Sequence, residues 1–281
     1  MTGEQITRIA GGRLHLHHGP IDMIVGAEGP GQEAGFARAA DRFGGLLQEL
    51  VNELPRLRRA TGPMPKGPVA RRMVHAVTPF APQFITPMAA VAGAGAEEIL
   101  AALCDGPGID KAYVNNGGDI AFHLTRGQVM QGIVAADPVA RLAIGHDTSV
   151  RGVATSGRAG RSLSRGIAES VTVLAKTAAA ADAAATMIAN AVDLPDHPAV
   201  TRLPASDVSP ESDLGARLVT RSVGHLTRAE VERALGAGVE YAETCLAAGL
   251  IAGAVLMLAG HCRILGDLPL KTLITKEALH A

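Results

Sequence analysis

Asp182 and Thr186 are the two residues of this sequence whose types and spacing most directly suggest chemistry. They stand four apart in an Ala-dominated stretch that follows Thr177, a residue suited to N-capping a helix. On a helix that spacing places a carboxylate and a hydroxyl one turn apart on the same face. A hard divalent cation takes such oxygen ligands and completes its shell with water or with the phosphates of a bound molecule. The plain alternative is a solvated Asp182, with Thr186 bonding back to a carbonyl one turn earlier. Seven alanines among positions 178–185 weigh against it, because so bare a helix suits close packing rather than a wet surface. A carboxylate enclosed there requires a cation, a base or several N–H donors.

The elements that would position this pair can be read outward from it. Val171–Leu174 is a β-branched run without helical period and predicts a strand feeding the helix. Upstream, Thr155-Ser156-Gly157 reads as a polar turn, followed by an Arg/Ser/Gly loop. In Lys111–Leu124 two alternating runs are split by Asn115-Asn116-Gly117-Gly118, a hairpin signal because such turns need positive φ. As a hairpin alone that segment is fully explained, with Asp119 merely flanking the turn. Thr86 followed by Pro87 marks a helix start, and the small residues behind it, Gly93 and Gly95 included, suit either an anion at the exposed N–H groups or close packing on a sheet.

The remaining chain supplies scaffold. Arg13–Ala27 predicts two strands, with His15 and His17 on a polar face; the His15-x-His17-His18 cluster is not of zinc type, since no second His/Cys group sits at ligand spacing. Gln32–Ala60 carries helical periodicity through Phe36, Phe43, Leu50 and Leu57; Gly44-Gly45 weakens it and Pro55 is expected to kink or restart it. The Arg56, Arg58, Arg59 group complements that helix's C-terminal dipole. A Pro/Gly-rich linker over 61–68, a possible division between two sub-lobes, leads to a short helix at Val69–Val77. Gln128–Ala135 predicts a strand, Asp137-Pro138 a turn, Asp193–Pro210 a loop, Leu226–Leu246 a helix with a Thr227/Glu230 capping box, and Leu250–Leu265 a strand region.

Composition bounds the partners. A 281-residue chain with 47% hydrophobic and 19% charged residues can bury a substantial core. A net charge of −1, with no Trp and seven other aromatics, argues against nucleic acid or a membrane as a partner and for a small molecule. Three cysteines in no metal-type spacing suit buried thiols in a reducing compartment, and the N-terminus shows no apolar leader. Cys245–Gly260 is the longest apolar stretch; broken by Gly249 and Gly253, it reads as a core strand entered from a helix. A cytoplasmic location is expected, and the composition leaves room for a homo-oligomer.

Taken together and in this order, VNNGGDI, VATSG and SVTVLAKTAAAADAAAT resemble the ApbE-like flavin transferase superfamily, over roughly residues 84–192. The resemblance implies an α+β fold, mainly antiparallel sheet with packed helices, in one domain spanning 1–281. It implies FAD or FMN as ligand, held with Mg2+. Asp182 and Thr186 would be the metal ligands, with a backbone carbonyl near Lys176. Gly117, Gly118, Asp119, Thr155, Ser156 and Gly157, together with Thr86 and Asn116, would line the nucleotide pocket. Arg158, Arg161 and Arg165 could supply charge to a phosphate. The sequence departs from the transferase pattern in one place: RAGRSLSRGIAE, between the Thr-Ser-Gly turn and the next strand, is short and lacks the His and Asp-Pro of that family. No catalytic residue is assigned, and covalent flavin transfer is not expected. The leading expectation is a cytoplasmic nucleotide-binding protein using a divalent cation, capable of phosphoryl-bond or flavin-related chemistry. Its rivals are a non-catalytic carrier that kept the pocket and a scaffold rebuilt for a different small molecule.

Overall fold

A computed structural model describes residues 3–134, 139–160, 162–266, 268 and 270–274. The strands are β1 (Gln5–Ile9), β2 (Arg13–His18), β3 (Ile21–Glu28), β4 (Lys111–Asn116), β5 (Asp119–Leu124), β6 (Val129–Val134), β7 (Val139–Gly145), β8 (Gly152–Ser156), β9 (Ser170–Ala175), β10 (Val200–Pro204), β11 (Leu218–Val223), β12 (Gly253–Leu258), β13 (His261–Gly266) and β14 (Leu270–Ile274). The helices are α1 (Gln32–Leu57), α2 (Pro68–Val77), α3 (Val91–Cys104), α4 (Ala178–Ala191), the one-turn α5 (Ala205–Val208) and α6 (Arg228–Ala247). The fold is α+β with a large antiparallel sheet, as the resemblance implied. The Asp137-Pro138 turn and Arg161 lie outside the described residues.

The chain divides into two compact units. The first comprises Met1–Met130, Gly145–Ala154 and Lys176–Asp182; the second comprises Gln131–Ile144, Thr155–Ala175 and Ala183–Ala281. The 61–68 segment lies inside the first unit.

In the first unit, β1 through β5 form a meander in sequential order, and β8 pairs with β5. Alternation sets its faces: Leu14 and Leu16 of β2 and Met23 and Val25 of β3 are buried, while His15, His17 and Asp22 stay part-exposed on the opposite face. There His15 Nε2 and Asp22 Oδ1 are 2.8 Å apart, and no group of three His, Cys, Asp or Glu side chains among the described residues gathers as a metal shell. Helix α1 buries Phe36, Ala39, Phe43, Leu46 and Leu50. It runs as one helix through Gly44-Gly45 and Pro55 to Leu57, whereas the sequence predicted a kink or restart; its buried stripe binds it to the core along its length. Gly35 lets α1 approach α3 closely, since a Cβ there would stand 3.0 Å from the Leu103 carbonyl oxygen. Arg38 donates to the carbonyls of Ala102 and Leu103 at 3.1 and 2.7 Å, and so caps the C-terminus of α3. The stretch Pro87–Cys104 is apolar and long enough to cross a bilayer, with 44% of it buried in this fold.

In the second unit, β9, β12 and β13 pair antiparallel, and every residue of β12 is buried. β10 and β11 form a separate hairpin, so the expected Asp193–Pro210 loop contains a strand and the α5 turn. The capping box predicted from sequence is present: Thr227 accepts from Glu230 N–H at 3.4 Å, and the Glu230 carboxylate accepts from Thr227 N–H at 2.7 Å. His197 Nε2 lies 2.9 Å from Glu230. The backbone N–H of Thr227, and then His197, hold the Glu230 carboxyl down to about 2.

Candidate functional site

The candidate site of the first unit is assembled where α3, α4, β8 and the β4–β5 turn meet, and glycine makes the meeting possible. A Cβ on Gly93 of α3 would stand 2.4 Å from the Ala178 carbonyl oxygen, and one on Gly152 of β8 would stand 2.2 Å from the Ala178 nitrogen. The first turn of α4 therefore passes between two bare backbones, and any side chain at either glycine would push it away.

The two helices then exchange carboxylates. Asp182, from the second turn of α4, accepts the Gly93 N–H at 3.0 Å, at the N-terminal end of α3. Glu97, one turn further along α3, accepts the Ala179 N–H at 2.7 Å, at the N-terminal end of α4. Each carboxylate thus satisfies orphan amides of the partner helix and sits at the positive end of its dipole. Thr177 completes the α4 cap by accepting the Ala180 N–H at 3.2 Å, as the sequence predicted. Glu97 is braced by Arg72 at 3.7 Å, and Arg72 also pairs with Glu98. Burial pushes the Glu97 carboxyl up despite these donors. Glu98 is also penalised by burial, but hydrogen bonds from Arg42 and Arg72 outweigh this and hold it below the usual range.

The β4–β5 turn brings a second acid to Asp182. Gly117 and Gly118 take φ of +66° and +116°, conformations that favour glycine, and Gly118 N–H donates to Asn115 Oδ1 at 2.8 Å. Asn116 and Asp119 are directly paired across the turn and both are buried. Asn116 Nδ2 donates to the Ala92 carbonyl at 3.1 Å and ties the turn to the start of α3. Asp119 lies close enough to Asp182 for its charge to count. Burial first, and the Asp119 charge second, hold the Asp182 carboxyl well above the usual carboxylate range, against the pull of the Gly93 and Ala92 amides.

The structure therefore gathers Asn116, Asp119 and Asp182. Thr86 is buried, and its hydroxyl accepts from Met88 N–H at 3.2 Å, capping a short 3-10 turn that leads into α3. The anion at the start of α3, left open by the sequence, is an internal one: the Asp182 carboxylate takes the Gly93 amide. Sequence reasoning missed Glu97 and Gly152. Nothing local marks a cap that spans 82 residues, although Gly93 and Glu97 share the i, i+4 spacing that would have flagged one helix face.

In the second unit the Thr155-Ser156-Gly157 turn closes β8. Thr155 and Thr172 hydroxyls are 2.9 Å apart, and Gly157, at φ +143°, fits beneath the Glu169 carbonyl, where a Cβ would stand at 2.5 Å. The loop that follows folds back on itself: Arg158 N–H donates to Ala168 O at 2.9 Å, and the Arg158 guanidinium pairs with Glu169 at 3.0 Å. Arg165 is a brace, its N–H on Asn190 Oδ1 at 3.0 Å and its carbonyl accepting from Arg202. Thr186 is half-buried, one turn beyond Asp182 on the continuous α4 helix.

The sequence profile of the family described as AbpE bacteria matches residues 6–264 of this chain. A UPF0280 protein of Methanothrix thermoacetophila is 40% identical over 128 residues, which is 44% of this chain and 52% of that protein. A UPF0280 protein of Methanopyrus kandleri is 44% identical over 124 residues, 43% of this chain and 48% of that protein. A third, from Methanosarcina acetivorans, is 36% identical over 129 residues. The chain spans about half the length of the curated relatives it matches.

Proposed function

This chain belongs to the family described as AbpE bacteria, and from that premise we propose that it is an ApbE-like protein that binds a flavin-like or other nucleotide together with a divalent cation. Asp182 would ligate the cation, with Thr186 one turn on as the second oxygen donor. The observation that carries this reading is the Asp119–Asp182 pair: two carboxylates brought together at buried backbone, their mutual repulsion relieved by a cation or a proton. The donor chemistry fits a hard ion, since magnesium needs only one or two carboxylates when water and ligand phosphates complete its shell. When bound, such a cation supplies charge neutralisation and polarisation at a phosphoryl oxygen. The chain's own contribution is to hold Asp182 against the Gly93 amide and to offer the turn backbone at Gly118, where an added Cβ would meet nothing within 4 Å.

A second reading, a carrier that binds without turnover, is favoured by the 158–168 loop, which is short, has no histidine and is closed by its own Arg158–Glu169 pair. Thermal melts of wild type and Asp182→Asn, each with and without magnesium and flavin dinucleotide, test the proposal. At a ligand concentration of 100 Kd the wild type gains about 2.7 kcal/mol and the variant gains little. Equal responses in both proteins, or none in either, would sink the cation site. Release of flavin mononucleotide separates an enzyme from a carrier.

A further inference from the structure

Between Leu54 and Ala96 the sequence contains no Asp or Glu, yet Arg56, Arg58, Arg59, Lys66, Arg71 and Arg72 all fall within it. In a chain of net charge −1 this is segregation of charge, and the first unit gathers it at the end of α1, the following loop and α2. Arg56 and Arg72 have visible structural work. Arg56 donates to the carbonyls of Pro63 and Arg59 at 2.7 and 2.8 Å, and Arg72 pairs with Glu97 and Glu98. Arg59, Lys66, Arg71 and His75 are exposed. Among the described residues no salt bridge reaches the side chain of any of these four, Glu53 touching Lys66 only through its backbone N–H. The spacing of Pro68, Arg71 and His75 places them along one exposed stripe of α2, with Lys66 just before it.

Alongside lies an open recess of about 970 Å³ between α1 and the 63–68 loop, lined by both Arg56 and Lys66 and by apolar Pro55, Pro63, Met64 and Pro68. Met64 is 48% exposed. Two carboxylates also line the recess. Glu49 is held by Arg42, and Glu53 accepts the Lys66 and Gly67 N–H groups at 2.9 and 2.6 Å.

We propose that this face docks a short acidic segment of a partner protein that also carries apolar side chains: acids on the Lys66–Arg71–His75 stripe, apolar side chains in the recess beside Met64. Charge complementarity selects the acid. The Glu49 and Glu53 carboxylates in the recess disfavour a strand with a phosphate at every step, and no Phe, Tyr or Trp lies between 54 and 79 to form a base-stacking platform. A single exposed large apolar side chain in that stretch is too little for a membrane face. The inference is independent of the cation site.

The test uses the full chain and fluorescence anisotropy at low salt. The probes are a labelled peptide of about 12 residues alternating Glu and Leu, an all-Glu peptide of the same length, oligothymidylate, and phosphatidylserine vesicles. The Glu/Leu peptide should bind saturably and more tightly than the other three. Lys66→Glu with Arg71→Glu should weaken it about tenfold or more. Met64→Ser should weaken the Glu/Leu peptide alone, and Arg221→Glu on β11 should change nothing. The proposal is overturned by an absence of saturable binding or by tighter binding of oligothymidylate or vesicles. Equal binding of both peptides with no effect of Met64→Ser, or an equal loss on Arg221→Glu, also overturns it.

Discussion

Replacing Gly93 with alanine probes the helix junction directly. The added Cβ would stand 2.4 Å from the Ala178 carbonyl oxygen, and ordinary contact begins near 3.4 Å, so the first turn of α4 must retreat by about 1 Å. Overpacking of that kind costs about 1–3 kcal/mol. The same retreat stretches two hydrogen bonds to carboxylates, Gly93–Asp182 at 3.0 Å and Glu97–Ala179 at 2.7 Å, beyond useful length. Hydrogen bonds of this kind are worth about 0.5–1.5 kcal/mol each, while alanine returns about 1 kcal/mol of helix propensity. A net loss of about 3 kcal/mol follows, or about 6–12 °C in melting temperature for a chain of this size. Calorimetry would measure it, with Gly236→Ala as the control. In that α6 position an added methyl meets nothing within 4 Å, and the substitution should stabilise by about 0.5–1 kcal/mol. If Gly93→Ala melts within about 2 °C of wild type, α4 is not clamped as described and the geometry of Asp182 loses its basis.

Two further outcomes follow from the acids. Asp182 has a folded pKa raised above its unfolded value, so its contribution to stability is lost as pH rises from about 4 through the folded pKa. Asp182→Asn should therefore flatten that decline, and its metal-free melting temperature at pH 7 should equal or exceed that of wild type; a large drop instead would mean a hidden cationic partner. Glu230 is shifted the other way, to about 2, so its stabilising effect is present above about pH 4 and disappears as pH falls through about 2. Glu230→Gln should flatten the acid limb of the melting profile between those values, and an unchanged limb would show that the capping box is not what titrates.

How much of this was legible in the sequence depends on how local each signal is. The β4–β5 hairpin, α1, α2, the Thr227 cap and the Thr177 cap each rest on neighbours within a few residues, and the structure has all of them. β10 was missed because prolines 195, 198, 204 and 210 read as a loop, whereas Pro204 ends a strand of a two-stranded hairpin where a missing N–H is tolerated. Pro55 does not restart the helix, because it lies two residues from the end of α1 and the burial along the helix outweighs its local penalty. At the candidate site, Asp182 stood out by residue type and Asp119 by motif order. That Asp182 meets the Gly117–Asp119 turn is what the motif order implied, whereas that Glu97 answers Asp182 across the junction is a fact of tertiary contact.

Under the proposed cation reading, the carboxylate exchange also explains why Asp182, and not Glu97, would be the ligand. Both carboxylates are desolvated and both sit on helix N-terminal amides, so geometry alone does not separate them. Their charged neighbours do. Glu97 has Arg72 beside it and the Ala179 amide in front, so its charge is matched within the protein. Asp182 has the Gly93 and Ala92 amides, and its nearest charged neighbour is another acid. An ionised carboxylate offers about four lone-pair positions, and two amides occupy about half of them. Asp119 lies near enough to raise the Asp182 carboxyl, and there only positive charge or a proton improves the electrostatics. Because Glu97 also anchors the start of α4, Asp182 does not hold the helix alone, and in the proposed site its spare oxygen lone pairs would serve the cation.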